Sequence, residues 1–217
     1  MDKQTSPHPF RNAKERTLDR AAKRKAVLLA AVRMFNQRGF HTTSLDDVAA
    51  ALGISKPLIY HYLGAKDHVL FECLRIGLQR LHEAAREAAA LPGSGLDRLK
   101  MFLRHYGEAV MDDFGRCVIR TGDEILTPDN RIKFRELKLD IDQALRRFMQ
   151  EATDDGSACI LDVKLTSFAF AGALSWTARW QEPEGEMSPA EIAERMVEIL
   201  VKGIEPGVVA PAHITAR

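Results

Sequence analysis

Apolar residues recur at helical spacing along most of this chain, and glycine or proline interrupts the pattern between segments. The clearest case is TTSLDDVAAALGISKPLIYHYL, residues 42–63, which reads as two short amphipathic helices around one glycine turn. The apolar stripe of the first helix, spaced i, i+3, i+4 and i+7, consists of Leu45, Val48, Ala49 and Leu52. Because so few residues join the two helices, they must cross steeply, which predicts a helix-turn-helix.

Polar residues mark the ends of both helices. Ser44 and Asp47 have the spacing of a capping box, so the first helix begins after Ser44. Gly53 is a turn residue that tolerates positive φ, and Ile54 after it is predicted to plug the core. Ser55 can cap the second helix, which carries proline in its first turn.

The second helix carries an unusual density of hydrogen-bond donors. Lys56, Tyr60, His61 and Tyr62 place a cation, two phenols and an imidazole within seven positions. Such groups donate to phosphates, and outward residues of such a helix meet base edges in the major groove of DNA. The plainer interpretation is a surface helix that is merely polar.

The charge distribution favours DNA binding. Residues 1–64 contain 11 lysines and arginines against 5 aspartates and glutamates, whereas the remaining residues contain 20 against 25. The near-neutral chain therefore combines a basic N-terminal part with an acidic body. A basic module attracts a polyanion in a salt-dependent way, although charge runs are also common in solvated tails.

The rest of the chain is also predicted to be helical, which makes the fold all-α. Helical spacing predicts helices over residues 65–90, 96–112, 116–126, 128–153, 162–180 and 189–203. Asp154 to Ser157 and Glu182 to Gly185 have turn composition, and residues 206–217 form a loose tail. At 217 residues and 46% hydrophobic content, the chain has ample material for one small and one larger domain.

Several classes of protein are disfavoured. No apolar run reaches the length of a membrane span, and the polar N-terminus has no signal segment, so a cytoplasmic protein is expected. The three cysteines are far apart, and they predict neither disulfides nor a metal site. No metalloprotease motif, phosphate loop, dinucleotide fingerprint or nucleophile elbow occurs, so neither catalysis nor a cofactor is expected. The main alternative is a helical adaptor or small-molecule-binding protein without sequence-specific DNA binding, and a cytoplasmic helical enzyme is the less favoured one.

In residues 26–70 the chain resembles the TetR family of transcriptional regulators. The resemblance runs through AVLLAAVRMFNQRGF, with Phe35 before Gly39 and Phe40 after it, then the two helices above and the exit segment YHYLGAKDHVL. It implies a three-helix DNA-binding domain at 21–64 behind a basic flexible tail at 1–20. It also implies a helical effector-binding and dimerisation domain at 65–205. The expected partners are a palindromic DNA operator, a second copy of the chain and a small effector.

The resemblance also assigns DNA contacts. With the donors of the second helix included, the predicted DNA-contacting residues are Thr43, Ser44, Ser55, Lys56, Pro57, Leu58, Tyr60, His61, Tyr62 and Lys66. Ile59 and Leu63 are expected in the core instead. Two positions depart from the family pattern, in which glycine often stands where this chain has Pro57 and small or polar residues are commoner than Leu58. Pro57 has no amide hydrogen to donate, and Leu58, if it faces outward, offers an apolar contact such as to a thymine methyl. The operator sequence is therefore not transferable from relatives.

The last two helices are predicted to form a homodimer interface. Small residues on one of them let another helix approach closely, and the family forms a four-helix bundle across a two-fold axis from the corresponding pair. The predicted interface residues are Leu165, Ala169, Gly172, Ala173, Ile192, Met196, Ile199, Leu200 and Gly203. Packing within one chain is the alternative explanation of these stripes.

The middle helices are predicted to enclose an apolar effector, lined by aromatic and sulfur-containing side chains. The candidates are Phe102, Tyr106, Met111, Cys117, Arg120, Ile125, Phe148, Met149, Phe168 and Trp176, for each of which plain core packing is the alternative. Arg116 and Arg120 have two open roles, as surface ion pairs with Asp123 and Glu124 or as ligands of an anionic group. The segment GALSWTARWQEPEGEMSPAEIAE resembles a TetR branch that governs lipid, steroid or aromatic-acid breakdown and often answers to acyl-CoA thioesters.

Overall fold

The computed structural model describes the backbone of residues 13–204 and the side chains of residues 20–204. This part contains no strand, and its helices are α1 (Ala13–Arg38), α2 (Leu45–Leu52), α3 (Lys56–Leu63), α4 (Lys66–Ala90), α5 (Gly95–Met111), α6 (Asp113–Arg120), α7 (Pro128–Asp154), α8 (Val163–Trp180) and α9 (Pro189–Lys202), with a 3-10 turn at Asp123–Ile125. The all-α prediction is confirmed. None of these helices is long and apolar enough to cross a membrane. The tail at 206–217 and the basic residues before Arg20 lie outside the described side chains.

The chain divides into two compact units between Val69 and Leu70. In the first unit α1, α2 and α3 all pack against one another. Ile59 and Leu63 are buried in its core, as predicted. Leu52 departs from the predicted stripe because it lies at the last position of α2, where its side chain is 36% exposed.

The turn between α2 and α3 has the geometry that its residues predict. Ser44 and Asp47 form the capping box at the start of α2, and Gly53 ends α2 with φ of +63°. That left-handed conformation strains any residue with a Cβ. The prediction for Ser55 is wrong in one respect: it occupies the cap position of α3, but its hydroxyl makes no capping bond.

In the second unit α5 is the central helix and packs against α6, α7, α8 and α9. Phe102 of α5 and Phe148 of α7 are fully buried, with ring centroids 5.4 Å apart. α4 approaches α6 at Gly77, where an added Cβ would lie 2.8 Å from the backbone oxygen of Phe114. Only glycine permits this approach without a shift of one helix.

The region around α6 differs from the prediction. The predicted helix over 116–126 begins earlier, because the Asp112 side chain accepts hydrogen bonds from the amides of Phe114 and Gly115. It also ends earlier, since the backbone becomes extended at Thr121. Asp112 thus ends α5 and begins α6 with a single residue.

Arg116 has neither of the two roles considered from the sequence. It is buried, and its guanidinium donates to the carbonyl oxygens of Met111, Ala178 and Gln181 at 2.8 to 3.2 Å. Ala178 lies in the last turn of α8, whose carbonyls have no partner within the helix. Arg116 therefore fastens α6 to the end of α8, and burial lowers the pKa of its guanidinium.

Candidate nucleic-acid interface and ligand cavity

α3 presents most of its predicted DNA-contacting side chains to solvent. Ser55, Lys56, Pro57, Leu58 and His61 are exposed, and Tyr60 is 51% exposed. Tyr62 is half-buried, and its ring meets the edge of the His61 ring at 5.6 Å between centroids. The helix thus buries only Ile59 and Leu63 and leaves a polar and aromatic face open.

Lys56 is not a free cation on this face. Its Nζ lies 2.5 Å from Oδ2 of Asp46 on α2, and this contact raises the pKa of the Lys56 ammonium. Both side chains are well exposed, so solvent screens the pair and its contribution to stability is small. A phosphate that binds Lys56 must compete with the Asp46 carboxylate.

We expect Asp46→Asn to strengthen DNA binding. The substitution removes a negative charge beside the exposed face of α3 and releases Lys56 for phosphate contact. An exposed ion pair contributes little, so the expected gain in affinity is about twofold to fivefold at low salt. If Lys56 gains one phosphate contact, the slope of log K against log salt steepens by about 0.9. Fluorescence anisotropy of a labelled duplex across a salt series measures both quantities.

Asp129→Asn is the matched control, because Asp129 is exposed at the start of α7 in the second unit and the change in net charge is the same. We expect it to leave the affinity and the salt slope unchanged. A weaker complex for Asp46→Asn would contradict the prediction and would mean that Asp46 holds Lys56 in its binding position.

A small concavity lies beside α3 in the first unit. Its volume is about 250 Å³, and its lining residues are His41, Thr42, Thr43, Ser44, Leu45, Tyr60 and Lys66. The structure therefore brings four predicted contact residues together with His41 and Thr42, which the sequence did not single out. These two residues precede the cap of α2. In the sequence, only this position beside a helix N-terminus indicates that they line the site.

Lys66 is the cation of this concavity. Its Nζ lies 4.2 Å from the centroid of the Phe40 ring, which is a cation–π contact. Burial lowers the pKa of Lys66, while the charge of Asp47 opposes that shift. The ring of Phe40 holds the ammonium in place, and the Tyr60 side chain lines the same concavity. This arrangement suits an anion of the size of a phosphate group.

Thr43 and Ser44, the two residues before α2, form hydrogen bonds within the protein. Thr43 is buried and its hydroxyl donates to the Gly39 carbonyl at 2.9 Å, so this hydroxyl is already bonded within the chain; the DNA contact of Thr43 stays a prediction. Ser44 is exposed, but its amide and its hydroxyl both donate to the Asp47 carboxylate. Those bonds lower the pKa of Asp47.

The second unit contains a cavity of about 370 Å³ among its helices. Its apolar lining is Leu78, Leu81, Val118, Ile119, Ile141, Leu145 and Ala171. Its polar lining is Tyr106, Thr121, Lys138, Asp142 and Ser175. Five elements contribute to this wall, namely α4, α5, α7, α8 and α6 with the residue after it. A cavity of this size, lined by more apolar than polar side chains, is typical of a small-molecule site.

Among the predicted pocket residues, Tyr106 alone lines this cavity. Five others are buried as packing of the core, namely Phe102, Met111, Cys117, Phe148 and Met149. Burial also raises the pKa of Cys117 to about 11, so its thiol stays protonated.

The remaining predicted pocket residues lie elsewhere for different reasons. Arg120 is exposed and donates to the Ala178 carbonyl at 2.9 Å, and Ile125 lies in the 3-10 turn outside the cavity lining. Phe168 and Trp176 project from α8 into solvent. Those aromatic side chains are therefore surface residues of the single chain.

One face of α8 and part of α9 form an exposed apolar surface. On α8 the large exposed side chains are Leu165, Phe168, Trp176 and Trp180, and on α9 it is Ile199. Gly172 lies within this face, and a Cβ built there would meet nothing within 4 Å. Large apolar side chains gathered on an exposed helix face are typical of a site of association.

The predicted interface residues differ in exposure. Leu165, Ala169, Gly172, Ile199 and Gly203 are exposed, while Ala173, Met196 and Leu200 are half-buried. Ile192 is only 4% exposed and lies in the core of the second unit, so the single chain offers little of its side chain to a partner. α9 is apolar on two sides, one of which packs against α5.

These features define a class of protein. A pair of short packed helices joined by a glycine turn, with a polar and aromatic second helix and an adjoining cationic concavity, is the surface of a helix-turn-helix DNA-binding protein. The larger helical unit adds a small-molecule cavity of its own. Together they define a DNA-binding regulator of the helix-turn-helix class.

The chain belongs to the TetR family of transcriptional regulators. Residues 27–73 match the family of bacterial regulatory proteins, tetR family, and residues 92–204 match the family tetracyclin repressor-like, C-terminal domain. The second match alone covers more than half of the chain. The predicted family, fold class and role in transcription regulation are thus confirmed.

The similarity to known proteins covers most of the chain. The HTH-type transcriptional repressor KstR2 of Rhodococcus jostii (strain RHA1) is 29% identical over 196 residues, which cover 87% of this chain and 94% of that protein. The structure of the TetR family regulator PfmR from Thermus thermophilus superposes with a TM-score of 0.74 at 28% identity, covering 81% of this chain and 97% of that one.

AibR in complex with isovaleryl coenzyme A and operator DNA is also similar in structure. Its TM-score is 0.73 at 24% identity, and the match covers 82% of this chain and 98% of that one. At this identity the likeness is one of fold.

Proposed function

We propose that this protein is a homodimeric, cytoplasmic repressor of a lipid or aromatic-acid catabolic operon, and that an acyl-CoA or another apolar effector releases it from a palindromic operator. The observation that carries the proposal is the exposed face of α3 beside the Lys66 concavity. The name of the repressor KstR2 and the ligands of the AibR complex support it.

In this proposal residues 21–64 form the DNA-binding domain. The N-terminal half of α3 enters the major groove, where Lys56 and Tyr60 contact phosphates and Leu58 meets a thymine methyl. A two-fold dimer places two such helices on half-sites about 34 Å apart, so the operator is palindromic. The apolar face of α8 and α9 is the surface that joins the two copies.

Residues 65–205 form the effector-binding and dimerisation domain. α4 begins before the division between the units and continues past it, so it is the covalent route by which the effector acts on α3. The effector changes operator affinity only through its differential affinity for the two conformations. A coupling of about 1 to 3 kcal/mol corresponds to a change of roughly 5-fold to 150-fold.

The first experiment measures binding of the full chain to the DNA upstream of its own gene. Fluorescence anisotropy across a salt series, with scrambled competitor DNA, distinguishes selective from purely electrostatic binding. We expect selective binding by the wild type and a loss of about tenfold or more for Lys56→Ala and Tyr60→Ala. Lys133→Ala, which removes an exposed lysine of α7, is the matched control and should bind like the wild type.

Two results would count against the proposal. Weak, unselective binding that salt abolishes would favour a helical protein without an operator at this site. Unchanged affinity in both α3 variants would remove Lys56 and Tyr60 from the DNA interface. Isovaleryl-CoA, octanoyl-CoA and the corresponding free acids are then added to the complex, and release by a thioester is the expected result.

A further inference from the structure

Two hydroxyl groups meet in the wall of the cavity in the second unit. The Tyr106 hydroxyl of α5 and the Ser175 hydroxyl of α8 lie 2.9 Å apart and share one hydrogen bond. Tyr106 is almost fully buried, whereas Ser175 is half-buried. Both residues line the cavity, so the pair forms a polar spot in a wall that is mostly aliphatic.

The pair has hydrogen-bonding capacity left over. Each hydroxyl has one hydrogen to donate, and the bond between the two uses only one of these hydrogens. The second O–H belongs to residues that line the cavity, and a buried donor left without an acceptor is costly. Burial raises the pKa of the Tyr106 phenol, so it stays protonated at neutral pH and keeps its capacity to donate. The cavity therefore favours a ligand that brings an acceptor oxygen to this spot.

The neighbouring charges decide which kind of oxygen fits. Asp142 lines the same cavity, and its negative charge contributes to the raised pKa of Tyr106. Its carboxylate is already paired with Arg146 at 2.7 Å. A ligand carboxylate at the hydroxyl pair would lie close to Asp142 and be repelled, whereas a neutral carbonyl is not. Lys138, the cation of the lining, is exposed, so it lies at the open rim.

We infer that Tyr106 and Ser175 recognise a neutral carbonyl oxygen of the effector, such as that of a thioester or a ketone, while the aliphatic wall holds the adjoining hydrocarbon. This inference rests on the proposed function, since it concerns the effector site of that regulator. It makes the hydroxyl pair a determinant of specificity that separates acyl compounds from alkyl compounds of equal size. It also places any anionic part of the effector outside the pair, toward the rim with Lys138.

The test compares matched ligands that differ only in the carbonyl. Isovaleryl-CoA and octanoyl-CoA are thioesters, and their thioether counterparts S-(3-methylbutyl)-CoA and S-octyl-CoA have a methylene in its place. Isothermal titration calorimetry of the full chain measures the four affinities. We expect the wild type to bind the fitting thioester about tenfold more tightly than its thioether, because the thioether leaves a buried donor unsatisfied.

Three variants test which side chains cause the preference for a thioester over its thioether. Tyr106→Phe keeps the ring and is expected to lose the tenfold preference by weakening thioester binding, with thioether binding unchanged. Ser175→Ala should reduce the preference in the same direction. Val118→Ala is the matched control in the aliphatic wall and should weaken thioester and thioether equally. Thermal melts of each variant establish that it is folded.

Each alternative outcome is decisive. Equal binding of thioester and thioether by the wild type, or a preference that survives in Tyr106→Phe, would overturn the inference. No binding of any of the four compounds by the wild type would overturn it as well. Operator binding by the same preparation would then confine the failure to the effector site and leave the regulator proposal standing.

Discussion

A chain carrying Trp176→Asp is expected to be a monomer that has lost selective operator binding. Trp176 is 61% exposed on α8 and belongs to the same apolar surface as the exposed Leu165. In a two-fold interface the substitution appears twice, so two carboxylates enter an apolar contact. Burial of an unpaired charge costs several kcal/mol. No other contact in the interface offsets this cost, so the dimer should dissociate.

Sedimentation velocity measures the oligomeric state, and fluorescence anisotropy measures the operator affinity. A monomer engages one half-site, so affinity should fall by roughly 10³-fold, toward the unselective level. Leu139→Asp is the control: Leu139 is 53% exposed on α7 and outside the α8 and α9 surface. A dimeric Trp176→Asp chain, or a monomeric Leu139→Asp chain, would place the interface elsewhere.

The helices were predictable because local signals determine them. Ser44 with Asp47 specified the start of α2, and Gly53 specified its end, since a capping box and a left-handed turn depend only on neighbouring residues. α6 was misplaced because its start depends on the Asp112 side chain, which also closes the preceding helix. Spacing alone does not separate two helices that share a capping residue.

The exposed face of α3 was also predictable, since helical period separates Ile59 and Leu63 from the rest. The contacts that Thr43 and Lys56 make beside this face were not predictable. The burial of Thr43 depends on the carbonyl of Gly39, and the pairing of Lys56 depends on Asp46 ten residues away. The first contact lies in the turn between α1 and α2 and the second joins α2 to α3, so neither follows from the helical spacing of apolar residues.

The cavity was the least predictable feature. Aromatic and sulfur-containing residues were expected to line it, but large side chains fill space, and Phe102, Phe148 and Met149 became core. The space remains where aliphatic and small residues such as Val118, Ala171 and Ser175 face one another. The two apolar sides of α9 posed a similar problem, since sequence does not say which side faces the core.

Phe148→Ala is expected to cause the largest loss of stability. The side chain is fully buried in α7, and its ring contacts that of Phe102 on the central helix α5. Its removal forfeits the transfer free energy of the ring and leaves a cavity, so the free energy of unfolding should fall by about 3 to 5 kcal/mol. The melting temperature should fall by about 10 °C, a shift that circular dichroism of the full chain measures.

This variant also separates core packing from effector contact at the same position. As a core residue, Phe148 supports the helices that hold the cavity, so its loss lowers stability whether or not a ligand is present. As a lining residue it would instead cost ligand affinity with little change in melting temperature, which would contradict the structure. Leu139→Ala is the control on the same helix, where a half-exposed side chain should change the free energy of unfolding by no more than about 0.5 kcal/mol. A loss for Phe148→Ala as small as that of the control would mean that α5 and α7 repack without the ring.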